Sequence, residues 1–357
     1  MLITISLCMI VKNEQTVIGR CLDSVKHIVD EINIVDTGST DSTKEIVAKY
    51  TDRVSDFTWI EDFAAARNFA FQQATKNYIL WLDADDVFLE QDQEKLMQLK
   101  KTLDLSVDAI KMNYNLAFDE QNNVTSSLTR SRLVKREKGF KWIGAVHEYL
   151  EVYGNILDSD VAVSHKPLSR DADRNMRIYE NFLSSGREFT PRDLFYYANE
   201  LMDHGKFEKA IEYYLRFLKS KKGWVEDNIT ACNKLANCYL NLNLKEQGLK
   251  WILHTLSYGP PRSETCCKLG FSFLQKDDLS TSVYWYKKAL ENVGFKGSAF
   301  QDHSYTTWLP HLQLAVCYDR LGQFQLGYEH NEKALKYRPK DSRMLANKKY
   351  FEKALNL

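Results

Sequence analysis

Tyr78-Ile79-Leu80-Trp81-Leu82-Asp83-Ala84-Asp85-Asp86 is an apolar run that breaks abruptly into carboxylates. A short apolar run bounded by polar residues reads as a buried strand. Residues two apart on a strand face the same side, so Asp83 and Asp85 are expected side by side. Two such carboxylates repel each other unless a cation lies between them, and oxygen ligands suit Mg²⁺ or Mn²⁺. An ion there would also take phosphate oxygens from a substrate and neutralise a leaving diphosphate.

Upstream of this stretch, strands and helices alternate. Leu2–Val11 is a second apolar run, followed by a helix ending near Val25–Ile28. Glu31–Val35 is a third run and ends in Asp36-Thr37-Gly38-Ser39-Thr40-Asp41, where Ser39, Thr40 and Asp41 are suitable helix caps. A helix to about Tyr50, a strand at Arg53–Phe57 and a helix over Ala64–Ala74 complete the series. This order predicts an α/β domain with a mostly parallel sheet covered on both faces. Ligands of such sheets sit beyond the carboxyl ends of the strands, which makes Asp36 a neighbour of Asp83 and Asp85. There is no GxGxxG and no GxxxxGK[ST], so an ordinary dinucleotide fold and a P-loop are disfavoured.

Composition narrows the class. The 357 residues carry 48 Lys+Arg against 48 Asp+Glu, which argues against a nucleic-acid binder. The balance is −6 over residues 1–170 and +6 over the remainder, so the two parts differ in kind. No apolar run approaches the roughly 18 residues of a membrane span. The 7 cysteines form no CxxC pair, so each reads as a small buried apolar residue in a reducing cytoplasm.

The second part repeats with a period near 34 residues. Ala198, Gly205, Ala210 and Tyr214 set a pattern of small, turn, small and aromatic residues. Ala236, Asn243, Gly248 and Ile252 follow it, then Gly270, Asp277, Ser282 and Tyr286, then Ala315, Gly322, Gly327 and Asn331. The repeats are imperfect, with an insertion around 294–307. Small residues at these points let paired helices approach closely, which is the tetratricopeptide pattern. Such a solenoid offers a surface for an extended partner.

Several stretches together resemble a known family. Ser6–Glu14, Asp36–Asp41, Phe63–Asn68 and Trp81–Asp86 look like family 2 glycosyltransferases of the GT-A fold, a Rossmann-like arrangement. Trp142-Ile143-Gly144-Ala145-Val146-His147-Glu148 looks like the subgroup that carries a tetratricopeptide tail. That subgroup includes enzymes that put sugars on cysteine or serine of bacteriocin peptides. The expected domains are a glycosyltransferase GT-A domain over 1–170, a helical linker over 171–190 and repeats over 191–357.

The resemblance implies a role for each matching residue. Val11 and Glu14 line the nucleotide pocket, and Asp36 accepts the uracil N3–H. Arg67 lies by the base or pyrophosphate, where a planar guanidinium is useful. Asp83 touches the ribose or the metal. Asp85 holds the ion, with His165 as a further ligand. Glu148 is the candidate catalytic base and must reach the acceptor. Arg130, Arg132, Lys135 and Arg136 form a basic cluster that reads as a solvated strand face.

The expected protein is a cytoplasmic, Mg²⁺- or Mn²⁺-dependent, inverting hexosyltransferase. Its expected partners are a UDP-sugar donor, a peptide or protein acceptor held by the repeats, and a second copy in a homodimer. Two other readings stand beside this one: transfer to a cell-surface glycan or lipid-linked sugar, and a non-catalytic scaffold.

Overall fold

The computed structural model describes residues 2–168, 171–291 and 300–357. The chain forms two compact units, the first over Met1–Glu188 and the second over most of the remainder.

In the first unit, β1 (Ile5–Val11) and β2 (Glu31–Asp36) are buried along almost their whole length, as strands covered on both faces must be. With β3 (Val54–Asp56) and β4 (Tyr78–Trp81) they form a parallel set in the order β3-β2-β1-β4. Alternate residues feed opposite cores. Leu7, Met9, Tyr78 and Leu80 join one cluster with Ile18 and Leu22 of α1 (Ile18–Val25). Cys8 and Ile79 join the other with Ala70 of α3 (Phe63–Gln72). The short α2 is Thr43–Val47, preceded by Ser42 at its N-cap rather than by Ser39–Asp41.

The sheet continues past β4 with reversed strands. β5 (Asp86–Val87) and α4 (Glu90–Thr102) precede β6 (Ala109–Phe118) and β7 (Val124–Lys135) in the chain. β7 pairs antiparallel with β4 and with β6, and β10 (Ile156–His165) runs parallel to β6. β8 (Lys141–Ile143) and β9 (Tyr149–Glu151) form a separate two-stranded ladder. β5 then pairs antiparallel with the end of β10, which places Asp86 opposite His165. A helix, α5 (Arg174–Ser184), lies in the stretch expected as a linker, and its Met176, Ile178, Tyr179 and Phe182 are buried.

The second unit is all helical apart from short connections. Its helices are α6 (Pro191–Asp203), α7 (Phe207–Ser220), α8 (Val225–Asn241), α9 (Lys245–His254), α10 (Ser263–Leu274), α11 (Leu279–Glu291), α12 (Trp308–Arg320), α13 (Phe324–Tyr337) and α14 (Ser342–Leu355). Successive pairs are antiparallel hairpins. Their turns pass through Gly205, Asn243, Asp277 and Gly322, all at positive φ between 60° and 71°. Those are the four turn residues expected from the repeat. A Cβ added at Gly248 would lie 3.3 Å from the Ala236 carbonyl, and one at Gly327 would lie 3.3 Å from the Ala315 carbonyl. At the corresponding point of the third hairpin, Ser282 Oγ donates to the Gly270 carbonyl at 2.9 Å. The small residues therefore sit where the two helices of a hairpin touch. The first part of the expected insertion, 294–299, lies outside the described residues.

All seven cysteines are buried thiols outside any disulfide. Among the described residues, no helix is long and apolar enough to cross a membrane.

Candidate active site

Because β1, β2, β3 and β4 are parallel, their carboxyl ends share one edge of the sheet. Val11 and Asp36 are register partners there. The Val11 side chain belongs to the core, and its carbonyl accepts from the Thr37 N–H at 2.9 Å. The two loops beyond it are stitched together. Thr40 N–H donates to Asn13 Oδ1 at 2.8 Å, Ser42 N–H to Gln15 Oε1 at 3.1 Å, and Glu14 N–H to Thr43 Oγ1 at 2.7 Å. Asn13 holds φ 55° to make this approach, a conformation asparagine tolerates better than most residues.

Asp36 is buried at this edge. Its Oδ2 accepts from Gly38 and Ser39 N–H at 3.0 and 2.9 Å. Its Oδ1 is buried with no hydrogen-bond partner, so one acceptor remains to be satisfied from outside the fold. Burial pushes its pKa up, but the bonds from Ser39 and Gly38 and the charge of Lys44 outweigh that and hold the carboxyl below its usual range.

Beyond β4 the chain does not continue as a strand. It turns after Trp81, with Asp86 N–H bonded to the Asp83 carbonyl at 3.1 Å. The alternation that would put Asp83 and Asp85 side by side therefore stops before them, and the two carboxylates take different partners. Asp83 Oδ1 pairs with Arg67 Nη2 at 2.6 Å, and Arg67 Nε pairs with Glu148 Oε1 at 2.6 Å. The guanidinium lies 5.1 Å from the Trp81 ring centre and 4.9 Å from that of Trp142. Burial opposes ionisation of Asp83, but Arg67 and then Arg132 outweigh it and bring its pKa to about 2. Asn68, next to Arg67, bonds both the N–H and the carbonyl of Trp142, at 2.9 and 3.0 Å. Three of the quoted stretches thus meet on two neighbouring residues of α3.

Asp85 goes to His165 instead. His165 Nδ1 lies 3.4 Å from Asp85 Oδ1 and 3.5 Å from Asp86 Oδ1, and Tyr114 Oη is 3.0 Å away. Ligand atoms of Asp85, Asp86 and His165 all lie within 4.8 Å of one another. Asp86 is the residue the sequence reading passed over. Its Oδ1 is buried without a hydrogen-bond partner, so the donor set fits a small divalent ion. Burial lowers the His165 pKa, but Asp85 and Asp86 outweigh it and raise it to about 9. Glu14 belongs to the same field, since burial and the charges of Asp85 and Asp83 raise its carboxyl to about 7. Arg132, read as part of a solvated face, is instead fully buried and pairs with Asp86 Oδ2 at 2.9 Å.

Residues 6–150 match the model of glycosyl transferase family 2. Over 343 residues the chain is 26% identical to a tetratricopeptide repeat-containing protein of Synechococcus elongatus, covering 94% of this chain and 76% of that one. Over 263 residues it is 29% identical to the SPbeta prophage-derived glycosyltransferase SunS of Bacillus subtilis, covering 68% of this chain and 61% of that one. The chain thus spans less than two thirds of the length of SunS. Among solved structures, a tetratricopeptide protein, YrrB, described as having an unusual peptide-binding site, aligns with a TM-score of 0.38 and 13% identity over 52% of this chain and 85% of that one. Residues 6–150, which carry the strand-end carboxylates and the stitched loops, are similar to family 2 glycosyl transferases, and together with the glycosyltransferase relative this supports a nucleotide-sugar glycosyltransferase followed by a helical repeat unit.

Proposed function

We propose that this enzyme moves a sugar from a UDP-sugar to a Cys or Ser/Thr side chain of a peptide or protein, with inversion at the anomeric carbon. The observation that carries the reading is the register pairing of Asp86 with His165 beside Asp85, at the strand edge that also bears Asp36. Asp85, Asp86 and His165 would hold the divalent ion, and its chemistry there is to neutralise charge on the departing diphosphate. An imidazole among the donors favours Mn²⁺ over Mg²⁺, which prefers oxygen alone. Asp36 Oδ1 is the acceptor offered to the uracil N3–H, and the loops through Val11 and Glu14 form the wall beside it. Arg67 fixes Asp83 at the ribose side and Glu148 across from it. Glu148 uses Oε1 for Arg67; among the described residues its Oε2 has no bond, and that oxygen takes the acceptor's proton during attack. A thiol acceptor, with an ordinary pKa near 8.5, needs less of this help than a hydroxyl. The repeat unit holds the acceptor chain.

The reading is tested by UDP-sugar hydrolysis with and without Mn²⁺, for wild type and Asp85→Ala. Wild type is expected to turn over slowly with Mn²⁺ and the variant not at all. Intact-mass spectrometry with candidate peptides then tests the acceptor. A hexose increment that survives base treatment indicates a sulfur link, whereas transfer to glycan alone removes the peptide reading.

A further inference from the structure

Arg132 on β7 is the largest side chain wholly buried among the described residues. It does not point at the substrate edge but lies beneath it. Its guanidinium is 3.8 Å from the Trp81 ring centre and 4.3 Å from that of Tyr114. Nη1 bonds the Trp81 carbonyl at 3.3 Å and Asp86 Oδ2 at 2.9 Å, while Nε and Nη2 are buried without hydrogen-bond partners. Asp86 Oδ2 also accepts the Asp83 N–H at 3.0 Å. One oxygen of Asp86 is therefore saturated from below, and the other faces His165. Tyr114 covers the guanidinium with its ring and meets His165 Nδ1 with its hydroxyl.

An ion pair in which both partners are fully buried contributes little stability over an apolar replacement of similar volume. Its retention directly under the carboxylate cluster calls for another account. We propose that Arg132 is a positioning residue for the ion site, holding Asp86 by one oxygen so that the other stays aimed at the ion. The inference rests on the reading of Asp85, Asp86 and His165 as that site. The guanidinium also cancels one carboxylate charge, which leaves a bound divalent ion with positive charge to spare for a diphosphate. A lysine keeps the charge but has neither the planar fork nor the stacking surface.

The test uses the full chain with Mn²⁺ alone, reading free Mn²⁺ by its electron paramagnetic resonance signal, with thermal unfolding in parallel. Arg132→Lys is expected to weaken Mn²⁺ binding by about 10- to 100-fold, the usual cost of losing an outer partner of a metal ligand. If wild type itself binds no Mn²⁺, the ion site is wrong. If wild type binds and Arg132→Lys binds equally well while melting earlier, the site stands and the positioning role is overturned. Should Arg132→Lys fail to fold, Tyr114→Phe and Tyr114→Leu decide the matter. Both lose the hydroxyl at His165, but only the leucine uncovers the guanidinium, so the leucine variant should bind Mn²⁺ more weakly. Equal affinities of the two overturn the proposal.

Discussion

Replacing Arg67 with methionine removes the charge that Asp83 and Glu148 share. Its side chain is 9% exposed, that of Glu148 12% and that of Asp83 31%. Breaking a buried pair by removing one partner costs about 3–5 kcal/mol because a charge is left uncompensated. Here two carboxylates are stranded, but Asp83 can recover part of its hydration, so the lower end applies, about 3 kcal/mol. For a domain of this size that is a fall in Tm of roughly 6–12 °C. The loss should not add to that of Glu148→Gln, since both variants break one link. Urea unfolding of wild type, the two single variants and the double variant, followed by tryptophan fluorescence, gives the coupling energy. Contacting residues in one network couple by about 0.5–3 kcal/mol. The pH dependence has a definite sign. With its pKa lowered to about 2, Asp83 contributes stability in full above its ordinary value near 4. That contribution is lost as pH falls toward the folded value. The gap between wild type and Arg67→Met should therefore narrow below pH 4. Additive losses with a gap unchanged between pH 7 and pH 3 would refute the bridge as an energetic unit.

Other outcomes follow from the same structure. Imidazole must lose its proton to bind an ion, and His165 holds that proton to about pH 9; calorimetry at pH 6.5 and 7.5 should show Mn²⁺ binding tightening by up to about tenfold per unit, with proton release. Glu14, raised to about 7, binds its proton more tightly folded than unfolded, so without added ion it lowers stability as pH rises from its ordinary value to 7. Glu14→Gln should flatten that decline in denaturant midpoints between pH 5 and 8. Gly327→Ala would bring a Cβ to 2.7 Å from the Phe351 ring; overpacking of this kind costs about 1–3 kcal/mol, visible as an earlier unfolding transition in far-UV circular dichroism.

The repeats were legible because their turns and contacts depend on local residue type. Gly205, Asn243, Asp277 and Gly322 mark positive φ, and Gly248 and Gly327 mark close approach. The order of the parallel strands was legible for a similar reason, since apolar runs and turn residues alternate plainly. The cluster of Asp85, Asp86 and His165 was read only in part. Asp85 and His165 were expected together and lie together, but Asp86 joins them through pairing between β5 and β10, which no local pattern announces. Arg132 was misplaced because polar residues precede it along β7, and burial of a cation cannot be read without its partner. The strand argument for Asp83 and Asp85 failed on a single physical point: the strand ends at Trp81 and the chain turns through Ala84 and Asp85, and alternation has no meaning past the end of a strand.

Arg67 ties together residues that are distant along the chain, since its two carboxylates stand 16 and 81 positions away. A growing polypeptide that has emerged only as far as Trp81–Asp86 holds the guanidinium and one acid, while the second is still unmade. Ribosomal synthesis cannot supply the bridge until Glu148 has joined, and closing so wide a loop is slow. A protein truncated before that residue lacks the bridge outright instead of carrying a weakened one, and leaves Arg67 with Asp83 as its one carboxylate partner.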